Sequence, residues 1–242
     1  MATPPAKILM VFGATGKTGL HVLEHAVAAK GKNWDQVVVF ARNPSKVPEA
    51  LRDKLTSIQG DLTDAVAIKA AVISCKPTAI VDASSMLPGG KPPNTADRRI
   101  MYKAVLEALE SDNRTSKCYL VMEGGVVVPE PGGTINSCLF SLIHCCVRNV
   151  FARTMFRDLE KFLVYMWEET PPDFRFTMVR MGPMVEKPSM GVLQAEPTKD
   201  NIPKGSVTYS DAGFALQELA ADLTGTTPWN RKALFYNYPS AK

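Results

Sequence analysis

The sequence predicts an α/β fold, a doubly wound and mostly parallel sheet with helices on both faces. Three observations carry that expectation. Ile8 to Phe12 is an unbroken apolar run, of the kind that makes a strand buried on both faces. A glycine turn follows at once, Gly13-Ala14-Thr15-Gly16-Lys17-Thr18-Gly19, and a helical pattern then sets in with Leu20, Leu23, Ala26 and Val27 on one side. Further β-branched runs return after helical patterns down the chain, the alternation expected of a parallel sheet.

The glycine turn is the first candidate site. Gly13 permits the sharp turn, Gly16 leaves the backbone bare enough for a pyrophosphate to approach, and Gly19 lets the helix pack close to the sheet. The helix start offers free N–H groups and the positive end of its dipole to phosphates. The spacing is G-x-x-G-x-x-G rather than the standard G-x-G-x-x-G. A glycine triplet alone says little, and the bland alternative is a turn that merely needs glycines. Its place between a buried strand and an amphipathic helix is what gives the motif weight.

With 242 residues, 45% of them apolar, the chain suits one domain over 1–242, its substrate side drawn mainly from 183–242. The net charge of +4 is modest and the basic residues are scattered, which argues against nucleic acid as a partner. No apolar segment approaches the roughly 20 residues that span a bilayer, so no membrane partner is expected. Met1 to Pro5 lack the pattern of a signal peptide, and Pro239 to Lys242 match no targeting address. Five cysteines, an odd number, argue against a disulfide framework and for a cytoplasmic setting. Cys138, Cys145 and Cys146 lie near His144, but their spacing fits no Cys-x-x-Cys site. They read as buried thiols on a helix, and no metal is expected.

The elements follow in order. Helix one spans Lys17 to Lys30 and ends at Gly31-Lys32-Asn33. Val37 to Ala41 forms strand two, and Arg42 follows at its carboxyl end. Folds selective for NAD place an acidic residue near this position, to bind the ribose 2′-hydroxyl. Arg42, with Lys46 shortly after, instead suits a 2′-phosphate, which favours NADP(H) over NAD(H). A solvated surface arginine is the plain alternative. A short helix covers Val47–Lys54, and Leu55 to Gln59 makes strand three, closed by Gly60-Asp61. Asp61 either accepts from an adenine amino group or caps the next helix, Ala65–Ser74, a role for which Asp64 competes.

Strand four runs from Thr78 to Ser85, and Ala83-Ser84-Ser85-Met86 should face a ligand at the carboxyl edge. Leu87 to Pro93 is a loop rich in helix breakers. Helix four spans Thr95–Glu110, strand five Cys118–Met122, and Glu123-Gly124-Gly125 ends it. After a Pro/Gly loop, Val126–Gly133, a long helical segment runs from Ile135 to Glu169, bent near Asn149 and stopped by Pro171-Pro172. Strand six is Phe174–Met181, and Gly182-Pro183-Met184 turns toward the nicotinamide region. Glu186 to Lys204 reads as a lid or irregular surface. Tyr209-Ser210-Asp211 caps a last helix, Ala212–Leu223, and Leu234 to Tyr236 is a final strand.

These residues resemble the atypical branch of the short-chain dehydrogenase/reductase superfamily, in its NAD(P)H-binding, NmrA-like subgroup, and are similar to the flavin and biliverdin-IXβ reductases. The resemblance rests on Val11 to Gly19, Phe40-Ala41-Arg42-Asn43, Gly60-Asp61-Leu62, Asp158-Leu159-Glu160-Lys161, Met181-Gly182-Pro183 and Ser210-Asp211. It implies a Rossmann-like sheet with NADP(H) across its carboxyl edge. It implies that Gly13, Ala14, Thr15, Gly16, Lys17, Thr18 and Gly19 hold the pyrophosphate and Arg42 the 2′-phosphate. Asp61 and Leu62 would lie at the adenine. Ser84, Ser85 and Met86 would lie along the dinucleotide, with Glu123 at the end of strand five. Lys161 would hold the ribose hydroxyls, and Pro183 and Met184 would flank the nicotinamide.

The chain departs from the superfamily pattern in its acid. Most members carry Tyr-x-x-x-Lys, in which the lysine lowers the tyrosine pKa. The chain reads as lacking that motif, since the residue four before Lys161 is Arg157. The usual serine at the end of strand five is replaced by Glu123-Gly124-Gly125. The expected function is therefore an NADP(H)-dependent oxidoreductase that reduces a flavin, a quinone or a similar conjugated small-molecule acceptor. The alternative is a non-catalytic NADP(H)-sensing protein of NmrA type, with a nucleotide-sugar epimerase or dehydratase as a third reading. A monomer or homodimer is expected, and no catalytic residue is assigned.

Overall fold

The computed structural model describes residues 5–84, 98–124, 160–196, 205–222 and 228–239. The elements are β1 (Ile8–Phe12), α1 (Lys17–Ala28), β2 (Gln36–Ala41), α2 (Glu49–Arg52), β3 (Thr56–Gln59), α3 (Ala65–Cys75), β4 (Ala79–Asp82) and α4 (Arg98–Ser111). They continue with β5 (Tyr119–Gly124), β6 (Arg175–Met181), β7 (Met184–Val185), β8 (Gln194–Glu196), β9 (Val207–Thr208), α5 (Tyr209–Ala221) and β10 (Lys232–Asn237). The main sheet has the order β3-β2-β1-β4-β5-β6-β10-β8. Every neighbouring pair is parallel except β10 with β8. The strand order reverses at β1, which lies between β2 and β4. A crevice opens beyond the carboxyl ends at such a switch point.

Alternation along the strands divides the core. Met10, Phe12, Val38, Phe40, Ile80, Leu120 and Met122 meet residues of α3 and α4 on one face. Leu9, Val11, Val37, Val39, Val81 and Val121 meet residues of α1 and α5 on the other. Burying each of these larger side chains contributes about 1.5–3 kcal/mol, so β1 to β5 anchor everything attached to their ends. β3 is an edge, and its Thr56, Ser57 and Gln59 are exposed. On the second face, the buried Trp34 indole donates to Gln217 Oε1 at 3.2 Å. His25 Nε2 lies 3.1 Å from the Ser210 carbonyl, and burial holds this histidine below its ordinary pKa. Both contacts tie the α1 side of the fold to α5.

Several boundaries differ from the sequence expectation. Strand four stops at Asp82, because the Asp82 carboxylate accepts from the Ser84 backbone N–H at 2.9 Å and turns the chain. The short helix after β2 shrinks to Glu49–Arg52, since Asn43 and Pro44 set up a separate 3₁₀ turn first. The last helix starts at Tyr209, and Thr208 caps it by accepting from Asp211 N at 3.1 Å. The expected Tyr209-Ser210-Asp211 cap is thus the first turn itself. β7, β8 and β9 are short strands in a stretch that lacks sequence periodicity.

Of the long helix expected over Ile135–Glu169, residues 160–164 are α-helical and Tyr165–Glu169 form a π-helical turn. Arg231 closes that turn, donating to Trp167 O at 2.7 Å and Pro171 O at 2.9 Å. The rest of that helix, the Val126–Gly133 loop, and Cys138, His144, Cys145 and Cys146 lie outside the described residues. Cys118 is buried, and burial pushes its thiol up to about 12. Among the described residues no group of three or more His, Cys, Asp or Glu could hold a metal ion, and no helix is long and apolar enough to cross a membrane.

Candidate functional site

The turn between β1 and α1 is built by contact. Gly13 has φ +67°, and a Cβ there would stand 2.4 Å from Ser84 N and 2.6 Å from the Ala83 carbonyl carbon. Only glycine fits both the dihedral and the closeness of the β4 end. A Cβ at Gly19 would stand 2.2 Å from Gly13 O, so this position sets how tightly α1 leaves the turn. Gly16 is different. It is exposed, and a Cβ there would meet only Gly13 O, at 3.3 Å. Gly16 precedes the first turn of α1, where no side chain caps the helix and no acidic residue stands. The first turn of α1 therefore carries the positive end of the helix dipole without a side-chain cap or a carboxylate of its own.

Arg42 leaves the end of β2 with its side chain largely in solvent. Its Nε lies 4.0 Å from Asp61 Oδ2. Asp64 caps α3, accepting from Val66 N and Ala67 N at 3.0 Å. Asp61 uses Oδ1 on Thr63 N and Oγ1, both at 2.9 Å, which leaves Oδ2 toward Arg42. Asp64, not Asp61, is therefore the cap of α3. Leu62 packs at the rim of the core on the α3 side.

At the end of β4 the Asp82 side chain is wholly buried. Its Oδ1 accepts from Ser84 N and, at 2.5 Å, from Ser84 Oγ, and its Oδ2 accepts from the Tyr102 hydroxyl of α4. Tyr102 stacks on Phe162 with centroids 4.7 Å apart. Lys161, beside Phe162, is exposed. Ser85 and Met86 lie outside the described residues. β5 ends in the partly buried Glu123 and Gly124, and Gly124 pairs with Arg180 of β6. The Arg180 guanidinium is buried 5.6 Å from the Phe235 ring.

The chain after β6 returns to α1. The Pro183 carbonyl accepts from Val207 N at 3.1 Å, and β7 pairs with β9. Thr18 Oγ1 donates to Met184 Sδ at 3.4 Å, and Lys17 Nζ lies 2.5 Å from Glu186 Oε2. Farther along, Asp211 accepts from Ser189 Oγ at 2.5 Å, Met190 N at 2.8 Å and the Tyr238 hydroxyl at 2.5 Å. Burial alone would raise the Asp211 pKa, but these donors outweigh it and hold the carboxyl below its usual value.

The glycine turn, the uncapped α1 and the switch point at β1 agree with a wider match, in which residues 13–222 match the NAD(P)H-binding family. The chain belongs to the NAD(P)H-binding family. Solved structures share its fold. A short-chain dehydrogenase/reductase from Veillonella parvula, in complex with NADP, aligns with TM-score 0.67 at 14% identity, covering 98% of this chain and 96% of that one. The anaerobilin reductase ChuY from Escherichia coli O157:H7 aligns with TM-score 0.64 at 18% identity, covering 98% and 99%. The oxidoreductase ylbE from Lactococcus lactis aligns with TM-score 0.63 at 16% identity, covering 95% and 90%. A search of curated proteins finds no match.

Within this NAD(P)H-binding chain, one sequence reading needs correcting. A Tyr-x-x-x-Lys spacing does occur, from Tyr238 to Lys242, with Pro239 inside it. It follows β10 rather than lying on a helix, and the Tyr238 hydroxyl is engaged by Asp211. Lys242 lies outside the described residues. The sequence reading also missed Asp82, Tyr102, Arg180 and the Asp211 contacts. An aspartate closing an apolar strand was the one available signal, and it pointed to Asp82.

Proposed function

We propose that this protein is an NADP(H)-dependent oxidoreductase that reduces a flavin, a quinone or another conjugated acceptor. The observation that carries the cofactor assignment is the exposed Arg42 guanidinium at the carboxyl end of β2, the strand next to the open glycine turn. The cradle suits a dinucleotide. Gly16 and the N–H groups opening α1 take the pyrophosphate, Lys17 adds a positive charge, and Arg42 takes the 2′-phosphate and stacks on adenine. Asp61 and Leu62 would lie at the adenine, and Ser84, Ser85 and Met86 along the dinucleotide. Lys161 would hold the ribose hydroxyls and Pro183 and Met184 would flank the nicotinamide, with Glu123 at the end of β5.

Bound NADPH would supply a hydride to the acceptor. The chain's contribution is orientation and exclusion of water. Asp82 holds Ser84 against Gly13 and so fixes the wall of the cradle. Asp211 holds the segment around Ser189 and Met190 near the substrate side. Solvent supplies the proton that accompanies the hydride, because in the sequence the residue four before Lys161, where the family's tyrosine acid would fall, is Arg157. That same departure favours the second reading, an NADP(H) sensor without turnover. NADPH oxidation measured with a panel of flavins, quinones and aldehydes tests both. Turnover on flavins or quinones supports the enzyme, and tight NADPH binding without turnover on any acceptor supports the sensor.

A further inference from the structure

Lys17 opens α1 beside the bare face of Gly16, and its ammonium already holds an anion. Glu186 Oε2 lies 2.5 Å from Lys17 Nζ, and the Tyr209 ring centroid lies 5.4 Å from the same nitrogen. Both partners are exposed, with side-chain accessibilities of 60% and 78%. The hydrogen bond and charge of each shift the other, raising Lys17 and lowering Glu186, so both are ionised at neutral pH. The carboxylate thus stands against an ammonium carried by the first residue of α1.

Glu186 is brought there by a segment that is fastened without it. Before it, β7 pairs with β9 and Met184 Sδ accepts from Thr18 Oγ1. After it, Ser189 Oγ and Met190 N donate to the Asp211 carboxylate. These anchors are partly buried, whereas the Glu186 contact is in solvent. An exposed ion pair contributes little and breaks readily. A pyrophosphate carries more charge than one carboxylate, so it displaces Glu186 rather than being shut out. The cost of that displacement then appears in the affinity.

We infer that Glu186 is an internal competitor for the dinucleotide phosphates at Lys17, tuning NADP(H) affinity downward. The inference rests on the reading that NADP(H) binds at the Gly13–Gly19 turn. Glu186 is therefore a residue that sets cofactor affinity without being part of the cradle.

Calorimetric titration of NADP(H) into the wild type, Glu186→Gln, Lys17→Met and the double variant tests it, with no catalytic readout needed. Glu186→Gln should bind about two- to fivefold tighter, the scale of one exposed ion pair. Lys17→Met should bind more weakly, and on that background Glu186→Gln should make no further difference. Glu186→Ala serves as a second removal of the carboxylate and should match Glu186→Gln. Binding by wild type with unchanged or weaker affinity in both Glu186 variants overturns this inference alone. A gain that persists in the Lys17→Met background also overturns it, because the effect would not pass through Lys17. No binding by wild type or either Glu186 variant overturns the cofactor site and this inference together.

Discussion

The Tyr102 hydroxyl donates to Asp82 Oδ2, joining α4 to the end of β4 inside the core. Both side chains are buried. The other oxygen of Asp82 holds Ser84, whose backbone nitrogen is the nearest atom to any Cβ placed at Gly13. A contact of the core thereby sets the wall of the candidate cofactor cradle.

Tyr102→Phe should test that link. Removing one donor to a buried carboxylate costs about 1–3 kcal/mol. The variant should unfold at lower denaturant with the slope unchanged, and its NADPH affinity should fall because the Ser84 wall loosens. A second variant, Asp82→Asn, should show strong coupling to Tyr102→Phe in a double-mutant cycle. Additive effects in that cycle would show that the two side chains do not act as a pair.

Gly16 and Gly19 should separate binding from folding. Gly16 has φ −81° and ψ 168°, which a β-branched residue adopts freely, and a Cβ there would meet only the Gly13 carbonyl oxygen, at 3.3 Å. Gly16→Val should fold like wild type by circular dichroism yet lose dinucleotide binding, because the side chain takes the space of the pyrophosphate. Gly19→Ala places a Cβ against the Gly13 carbonyl and should destabilise the fold by about 1–3 kcal/mol. A Gly16→Val protein that binds NADPH normally would put the phosphates elsewhere.

How much of this was legible in the sequence differs by element. β1 and its glycine turn were legible because a strand buried on both faces writes itself as a continuous apolar run, and Gly13 and Gly19 answer to local backbone contact. β7, β8 and β9 were not, since strands of two or three residues carry no measurable period. The Asp82–Tyr102 pair spans 20 positions and two elements, so no local pattern marks it. In the sequence Asp211 reads as part of a helix cap, but its donors come from Ser189, Met190 and Tyr238. Tertiary contacts alone reveal that role. The Tyr238 to Lys242 spacing is visible in the sequence, but only the structure shows that it follows β10 rather than lying on a helix.

Asp211 should also leave a mark on the pH dependence of stability. Its native pKa is depressed, so the stability it contributes is complete above the ordinary aspartate range, about pH 4. That contribution is lost as pH falls through the depressed native value, where the carboxylate takes up a proton in the folded state. Asp211→Asn replaces an acceptor facing several donors and should cost about 1–3 kcal/mol at neutral pH. The gap between variant and wild type, followed by denaturant unfolding across pH, should narrow as acid is added. A constant gap would mean that the charge of Asp211 contributes nothing.

Cofactor choice and acceptor choice should divide between Arg42 and the helix of Lys161. Arg42→Glu should weaken NADPH binding by about ten- to hundredfold, the scale of losing a charge-assisted contact and gaining a repulsion, while NADH binding changes far less. Equal wild-type affinities for NADPH and NADH would remove Arg42 from the site. The acceptor follows from charge. A simple carbonyl gathers an alkoxide charge as hydride arrives and needs an acid or an oxyanion site beside it. In the sequence the residue four before Lys161 is Arg157, not tyrosine, and the Tyr238 hydroxyl donates to Asp211. A flavin or quinone spreads the incoming charge over its own heteroatoms and depends less on such a group. On the proposal that Lys161 holds the ribose hydroxyls, Lys161→Met should weaken cofactor binding more than it slows the hydride step. Steady-state rates on matched quinones and aldehydes should favour the quinones. Faster aldehyde turnover would require an acid that none of these residues supplies.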